Sequence, residues 1–255
     1  MLLAIDIGNT NIHFGLYDGS KWCCTWRART IVNKMSDEYA VLLRNFFEDG
    51  GFTFKSVDDV VMASVVPPLT GTFIELAERY LAQTPLNVVP GVKTGVRLVF
   101  DNPREVGADR VVNTAAVHQL YGGPAIVIDF GTATTYDIIN AQGDYIGGVI
   151  APGIGVSHDA LVSRTAKLPK VDLVPPETVI GRNTIHAMQS GLFLGYVAMI
   201  EGLVTRIKRE MEGPPAKVIA TGGLAALFAE HTSVIETIAP NLTLDGLRLI
   251  WELNQ

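Results

Sequence analysis

Cysteine is nearly absent from this chain: there are two, Cys23 and Cys24, side by side. Neighbours in sequence rarely reach disulfide geometry, and there is neither a C-x-x-C pair nor a Cys/His cluster spaced to hold zinc. A reducing cytoplasm is the expected setting. An excess of positive charge is missing too, with 20 Lys+Arg against 26 Asp+Glu and a formal net charge of −6. Nucleic acid or an anionic membrane would favour a basic face, so neither is expected as a partner. Long hydrophobic runs are also lacking. The longest, Gly191–Ile200, is stopped by Glu201, well short of the roughly 18 residues that span a bilayer. The opening Met-Leu-Leu-Ala-Ile-Asp lacks the basic residues of a signal peptide, and none is expected. The sequence has no G-x-x-x-x-G-K-[ST] loop, and Gly153-Ile154-Gly155 runs into Val156-Ser157-His158 rather than completing a dinucleotide fingerprint. A nucleotide, if bound, is bound without a P-loop.

What is present is material for a core. Apolar residues make up 48% of the 255 positions, and 25 Gly outnumber 13 Pro. That composition excludes a disordered or collagen-like chain, and the length suits one large domain or two modest ones. Short β-type runs are predicted at Leu2–Ile7, Ile12–Tyr17, Val60–Ser64, Ala125–Asp129, Thr134–Asn140 and Val218–Ala220. Helical periodicity marks Asp37–Asp49, Gly71–Ala82, Asp109–Leu120, Ser157–Leu161, Asn183–Met211 and Leu224–Ala229. Such alternation over the whole length predicts an α/β protein. Pro85, Pro90, Gly91 and Gly95 mark a loop before Arg97–Phe100, and Pro169, Pro175 and Pro176 mark an exposed connection.

The chain echoes itself once. Ala4-Ile5-Asp6-Ile7-Gly8-Asn9-Thr10 and Val127-Ile128-Asp129-Phe130-Gly131-Thr132-Ala133-Thr134 are each an apolar strand ending in an acid, then a Gly, then small hydroxyl or amide residues. The pair predicts two similar α/β halves, 1–114 and 115–255. Glycine lets backbone pass close to a ligand, and the N–H groups that follow can hold phosphate oxygens. A carboxylate beside phosphates repels them unless a cation intervenes, so Asp6 and Asp129 are candidate ligands for Mg²⁺ or another hard cation. A third element, Lys217-Val218-Ile219-Ala220-Thr221-Gly222-Gly223, ends a strand in two glycines, against which a flat base or ribose could lie.

These turns resemble those of the actin, sugar-kinase and Hsp70 ATPase superfamily. Asp101-Asn102-Pro103-Arg104-Glu105-Val106-Gly107-Ala108-Asp109-Arg110 narrows the resemblance, because it is similar to the signature of type III pantothenate kinases. Further segments of that pattern follow in order: Asp6–Asn11, Asp129–Thr134, Gly147–Gly153, Gly181-Arg182-Asn183-Thr184 and Thr221-Gly222-Gly223. The resemblance implies two related actin-like, ribonuclease H-like domains with a nucleotide cleft between them. It implies ATP-dependent phosphorylation of pantothenate to 4′-phosphopantothenate, Mg²⁺ carried with ATP, a K⁺ or NH₄⁺ requirement and a homodimer.

Residue by residue, the resemblance makes Asp6, Ile7, Gly8, Asn9, Thr10, Asn11, Ile12 and His13 the ATP phosphate loop and Thr132 a further ATP contact. It puts Asp129 at the monovalent-cation site. Gly107, Ala108, Asp109 and Arg110 would hold pantothenate, with Asp109 as proton acceptor and Thr184 as another substrate contact. Phe100 stands where the family pattern often has Tyr, which removes one possible hydrogen bond there. Asp109 falls at a predicted helix start, where the helix dipole favours the ionised carboxylate, so ordinary basicity is expected. Arg110 could meet the substrate carboxylate with a bidentate guanidinium. Two rivals remain, a kinase for another small hydroxylated substrate and an accessory or transcriptional factor that has lost the chemistry. Against the second stand the negative charge and the presence of Asp6, Asp109 and Asp129 together.

Overall fold

The computed structural model describes residues 1–211 and 213–255. The elements run β1 (Leu2–Ile7), β2 (Asn11–Tyr17), β3 (Trp22–Arg29), α1 (Ser36–Asp49), β4 (Asp59–Ser64), α2 (Pro67–Leu76), β5 (Leu86–Asn87) and α3 (Ala108–Tyr121). They continue with β6 (Ala125–Phe130), β7 (Ala133–Ile139), β8 (Tyr145–Pro152), α4 (Ile154–Ser163), α5 (Thr184–Glu210), β9 (Lys217–Gly222), α6 (Ala225–Ala229), β10 (Thr237–Ile238) and α7 (Leu242–Glu252). The α/β class follows directly from this alternation.

Two five-stranded sheets form, ordered β3-β2-β1-β4-β5 and β10-β9-β6-β7-β8. Read from β8, the second order repeats the first strand for strand. Each sheet has an antiparallel three-strand meander and then two parallel strands. The echo in sequence is thus an echo in topology. The compact units are Met1–Tyr121 with Asn241–Gln255, and Gly122–Pro240. The boundary expected at 114/115 falls inside α3, whose buried run Val111–Val117 is continuous through that point.

In the first unit, period-two alternation along β1 sends Leu3, Ile5 and Ile7 to one face of the sheet and Leu2 and Ala4 to the other. The first set packs with Leu43 and Phe47 of α1 and Leu69 and Phe73 of α2. The second packs with Val112 and Ala115 of α3 and Leu244, Leu247 and Ile250 of α7. Helix α7, which was not among the predicted helices, therefore returns to the first unit. It crosses α3 closely: a Cβ at Gly246 would lie 2.2 Å from the Val112 carbonyl oxygen. In the second unit Ile126, Ile128 and Phe130 of β6 pack with Phe193, Val197 and Ile200 of α5 and Phe228 of α6.

Helix α5 starts where Asn183 caps it, accepting the His186 N–H at 2.9 Å. By length and composition it is long and apolar enough to cross a membrane, yet its apolar face lies in the core just described. His158 is buried and accepts the Val171 N–H at 3.2 Å, a structural use of a histidine.

Candidate active site

The first turn is built at the end of β1. Asp6 continues the Leu2–Ala4 face and is half-buried, directly opposite His13 on β2 and Ala63 on β4. Gly8 donates its N–H to the Asn11 carbonyl at 3.1 Å, and a Cβ on Gly8 would sit 2.9 Å from that same oxygen. Asn9, Thr10 and Asn11 are exposed. His13 in turn lies opposite Arg27 of β3, so carboxylate, imidazole and guanidinium form one row across three strands. Burial, with the Arg27 charge adding to it, lowers the His13 pKa to about 4. The imidazole is neutral at pH 7, and the cation of the row is Arg27.

The segment Gly107–Arg110 reaches the same end of the same sheet. Val65, just past β4, donates its N–H to the Ile7 carbonyl at 3.0 Å, and a Cβ on Gly107 would lie 3.6 Å from Val65 Cγ1. Asp109 opens α3, and its Oδ1 accepts the Arg110 N–H at 2.8 Å. A Cβ on Gly107 would be 2.5 Å from Asp109 Oδ1, so the missing side chain is the room in which the carboxylate sits. Burial pushes the Asp109 pKa up, opposed by the Arg110 N–H and the Arg110 charge. This corrects the expectation of ordinary basicity: the helix start favours the anion, but loss of water outweighs it.

The second unit repeats the turn with different neighbours. Asp129 is flanked across the strands by Thr135 and Thr221, the latter buried. Gly222, at φ +91, leaves the space for the Asp129 carboxylate, because a Cβ there would come within 2.6 Å of Oδ1. The Gly-Gly element and the second turn are thus brought together. Thr132 is exposed, and its carbonyl accepts the Gly153 N–H at 3.1 Å. Among the described residues no three His, Cys, Asp or Glu side chains converge on one point. A cation held there would have fewer than three such side chains, with hydroxyl, backbone or phosphate oxygens completing a donor set that suits hard ions. Phe100 is exposed on the loop before the Asp101–Arg110 segment, and Thr184 is exposed as the first residue of α5. Nearby, Gly181 passes so close to α5 that a Cβ would lie 2.2 Å from the Ala187 nitrogen.

Doubled sheets of this topology make up an actin-like fold. A Clostridium difficile activator of 2-hydroxyisocaproyl-CoA dehydratase, solved with ADPNP bound, superposes with TM-score 0.56 at 12% identity, over 99% of this chain and 95% of its own. A Campylobacter jejuni structure described as a Baf-family transcriptional activator gives 0.61 at 20% identity, over 99% and 98%. At these identities the likeness concerns the fold alone. The family model for type III pantothenate kinase matches residues 2–206. Curated type III pantothenate kinases of Moorella thermoacetica and Roseiflexus castenholzii are 51% and 52% identical over the full length of both chains. The chain belongs to the type III pantothenate kinase family.

Proposed function

We propose that the protein transfers the terminal phosphoryl group of ATP to the primary hydroxyl of pantothenate, giving 4′-phosphopantothenate on the way to coenzyme A. One observation carries the assignment of roles. The Asp6 turn and the Gly107–Arg110 segment meet at one end of one sheet, joined through Val65 and Ile7.

Phosphoryl transfer runs through a loose transition state in which positioning and charge neutralisation do most of the catalysis. Asp109 accepts the hydroxyl proton as the bond to phosphorus forms, and burial makes its carboxylate a better acceptor than a solvated one. Gly107, Ala108 and Arg110 hold pantothenate, with the Arg110 guanidinium on its carboxylate; Phe100 and Thr184 are further substrate contacts. Residues Asp6 through His13 cradle the phosphates, with Thr132 as another ATP contact. Asp6 holds the divalent cation, which when bound with ATP neutralises phosphate charge. Asp129 serves the K⁺ or NH₄⁺ ion, a reading supported by the hydroxyls of Thr135 and Thr221 on either side of it.

The protein is a homodimer in this reading. The outer face of α5 supports it: Gly191, Gly195, Ala198 and Gly202 are exposed, and nothing lies within 4 Å of a Cβ at the three glycines. Small residues at such spacing admit a second helix closely. A monomer in sedimentation at micromolar concentration would overturn this. The free thiols of Cys23 and Cys24 accord with a cytoplasmic enzyme.

The deciding experiment is ADP release with ATP, Mg²⁺ and pantothenate, in K⁺ and then with Na⁺ replacing it. Turnover requiring both pantothenate and K⁺ is expected. Turnover independent of pantothenate would send the search to other acceptors, and none at all would favour an accessory factor.

A further inference from the structure

Strand β3 was not among the predicted strands, yet its end reaches the phosphate turn. Thr30, the residue after β3, donates its N–H to the Thr10 carbonyl at 2.9 Å and its hydroxyl to the Gly8 carbonyl at 2.6 Å. In a planar trans peptide the carbonyl and the next N–H point in opposite directions. Drawing the Gly8 carbonyl toward Thr30 therefore aims the Asn9 N–H the other way. The second unit supplies an internal control. There Gly153 repeats the backbone bond, donating to the Thr132 carbonyl at 3.1 Å. It has no side chain, and a Cβ would lie 2.7 Å from the Gly131 oxygen and 2.4 Å from the Thr132 oxygen. The residue after the third strand thus gives the second turn, with two residues between its strands (131–132), a backbone bond only, whereas at the first, with three (8–10), it adds a side-chain tether.

We propose that Thr30 is a positioning residue of the ATP site: its hydroxyl fixes the 8–9 peptide so that the Asn9 N–H faces the phosphates. The proposal rests on the reading of Asp6–His13 as the phosphate loop.

Thr30→Val keeps the branched shape and the backbone donor while removing the hydroxyl. It is expected to raise KM for ATP about tenfold, the effect of misaiming one hydrogen bond to a charged group. KM for pantothenate and the unfolding temperature should move little. Thr30→Ser, which keeps the hydroxyl, should restore KM for ATP to within about twofold on the same ground. Thr30→Ala serves as a second hydroxyl deletion should the valine pack badly. An unchanged KM for ATP in both deletions overturns the proposal. So does a parallel rise in both substrates' KM accompanied by lost thermal stability, or a serine variant as impaired as the valine. Asp6→Asn, measured alongside, separates the two readings. If it weakens ATP and the Thr30 deletions do not, the tether idea alone fails; if neither weakens ATP, the phosphate-loop reading falls and takes the proposal with it.

Discussion

The two Asp-x-Gly turns begin alike and end differently. Both leave the central strand of a five-stranded sheet, and both have a carbonyl held by the residue that follows the third strand or closes it, Thr30 or Gly153. Yet Asp6 looks across to a histidine and an alanine, whereas Asp129 looks across to two threonines. The first setting offers one carboxylate beside a neutral ring and an arginine. The second sets its carboxylate between two threonines of the neighbouring strands. In the proposed division of labour, a duplicated backbone is turned to two tasks by changing the residues opposite one acid.

The largest effect expected from breaking this arrangement lies next to the first turn. Asp109→Asn removes the proposed proton acceptor and should lower kcat by about 10²- to 10⁴-fold, with ATP binding retained in a direct titration. Near-normal turnover would remove Asp109 from its role. The same variant has a readable stability signature. A folded-state pKa raised above the unfolded value means that the ionised carboxylate burdens the fold, and that this burden is absent at low pH and appears as pH rises through the folded pKa. Asp109→Asn should therefore unfold at an equal or higher temperature than the parent at pH 7 to 8, the advantage fading toward acid.

Next in size is the pair of acids themselves. Asp129→Ala should weaken or abolish the K⁺ dependence, while Asp6→Asn should raise KM for ATP at every K⁺ concentration. An unchanged K⁺ titration in the first, or K⁺ rescue of the second, would erase the division of labour. A smaller and purely structural difference separates Ser64 from Gly222, which occupy matching places beside Ile7 and Phe130. Gly222→Ala puts an L-residue at positive φ and a methyl against the Asp129 carboxylate, and should cost about 1–2 kcal/mol or more in denaturant melts. Ser64→Ala should cost no more than the roughly 1 kcal/mol of its hydrogen bonds. Equal losses would show that the second turn is no tighter than the first.

The smallest effect concerns acid. With its pKa lowered to about 4, His13 is neutral in the fold and charged in the unfolded chain between roughly pH 6.5 and 4, so stability falls across that window. His13→Gln should flatten this part of the pH–stability curve, and an unaltered slope would count against the buried neutral ring.

Much of this was written plainly in the chain and some was not. Strand β1, α1 and both turns announce themselves by a continuous apolar run, helical spacing and the Asp-x-Gly pattern. Strand β3, Trp22-Cys23-Cys24-Thr25-Trp26-Arg27-Ala28-Arg29, does alternate from Cys24 on, with Cys24, Trp26 and Ala28 on the more buried face and Thr25, Arg27 and Arg29 exposed, but the adjacent cysteines and the charged residues of this edge strand mask the pattern. Strand β8 hides behind Gly147 and Gly148, which lower strand propensity. Helix α7 carries Gly246, unfavourable in a helix by itself and required by the close crossing with α3. With β3 unseen, Thr30 could not be placed against Gly8. The raised pKa of Asp109 was equally hidden, since desolvation depends on what packs around a residue and not on its neighbours in sequence.

The return of α7 also sets the order in which the molecule can be finished. Leu2 and Ala4 leave the ribosome early, but the helix bearing Leu244, Leu247 and Ile250 that completes the cover of their face of the sheet emerges only after Gly122–Pro240 has been made. At ordinary rates of synthesis that wait is on the order of ten seconds. During it that side of the earliest strands has only α3 against it, while the later unit has every segment it needs. The half that is born first is completed last.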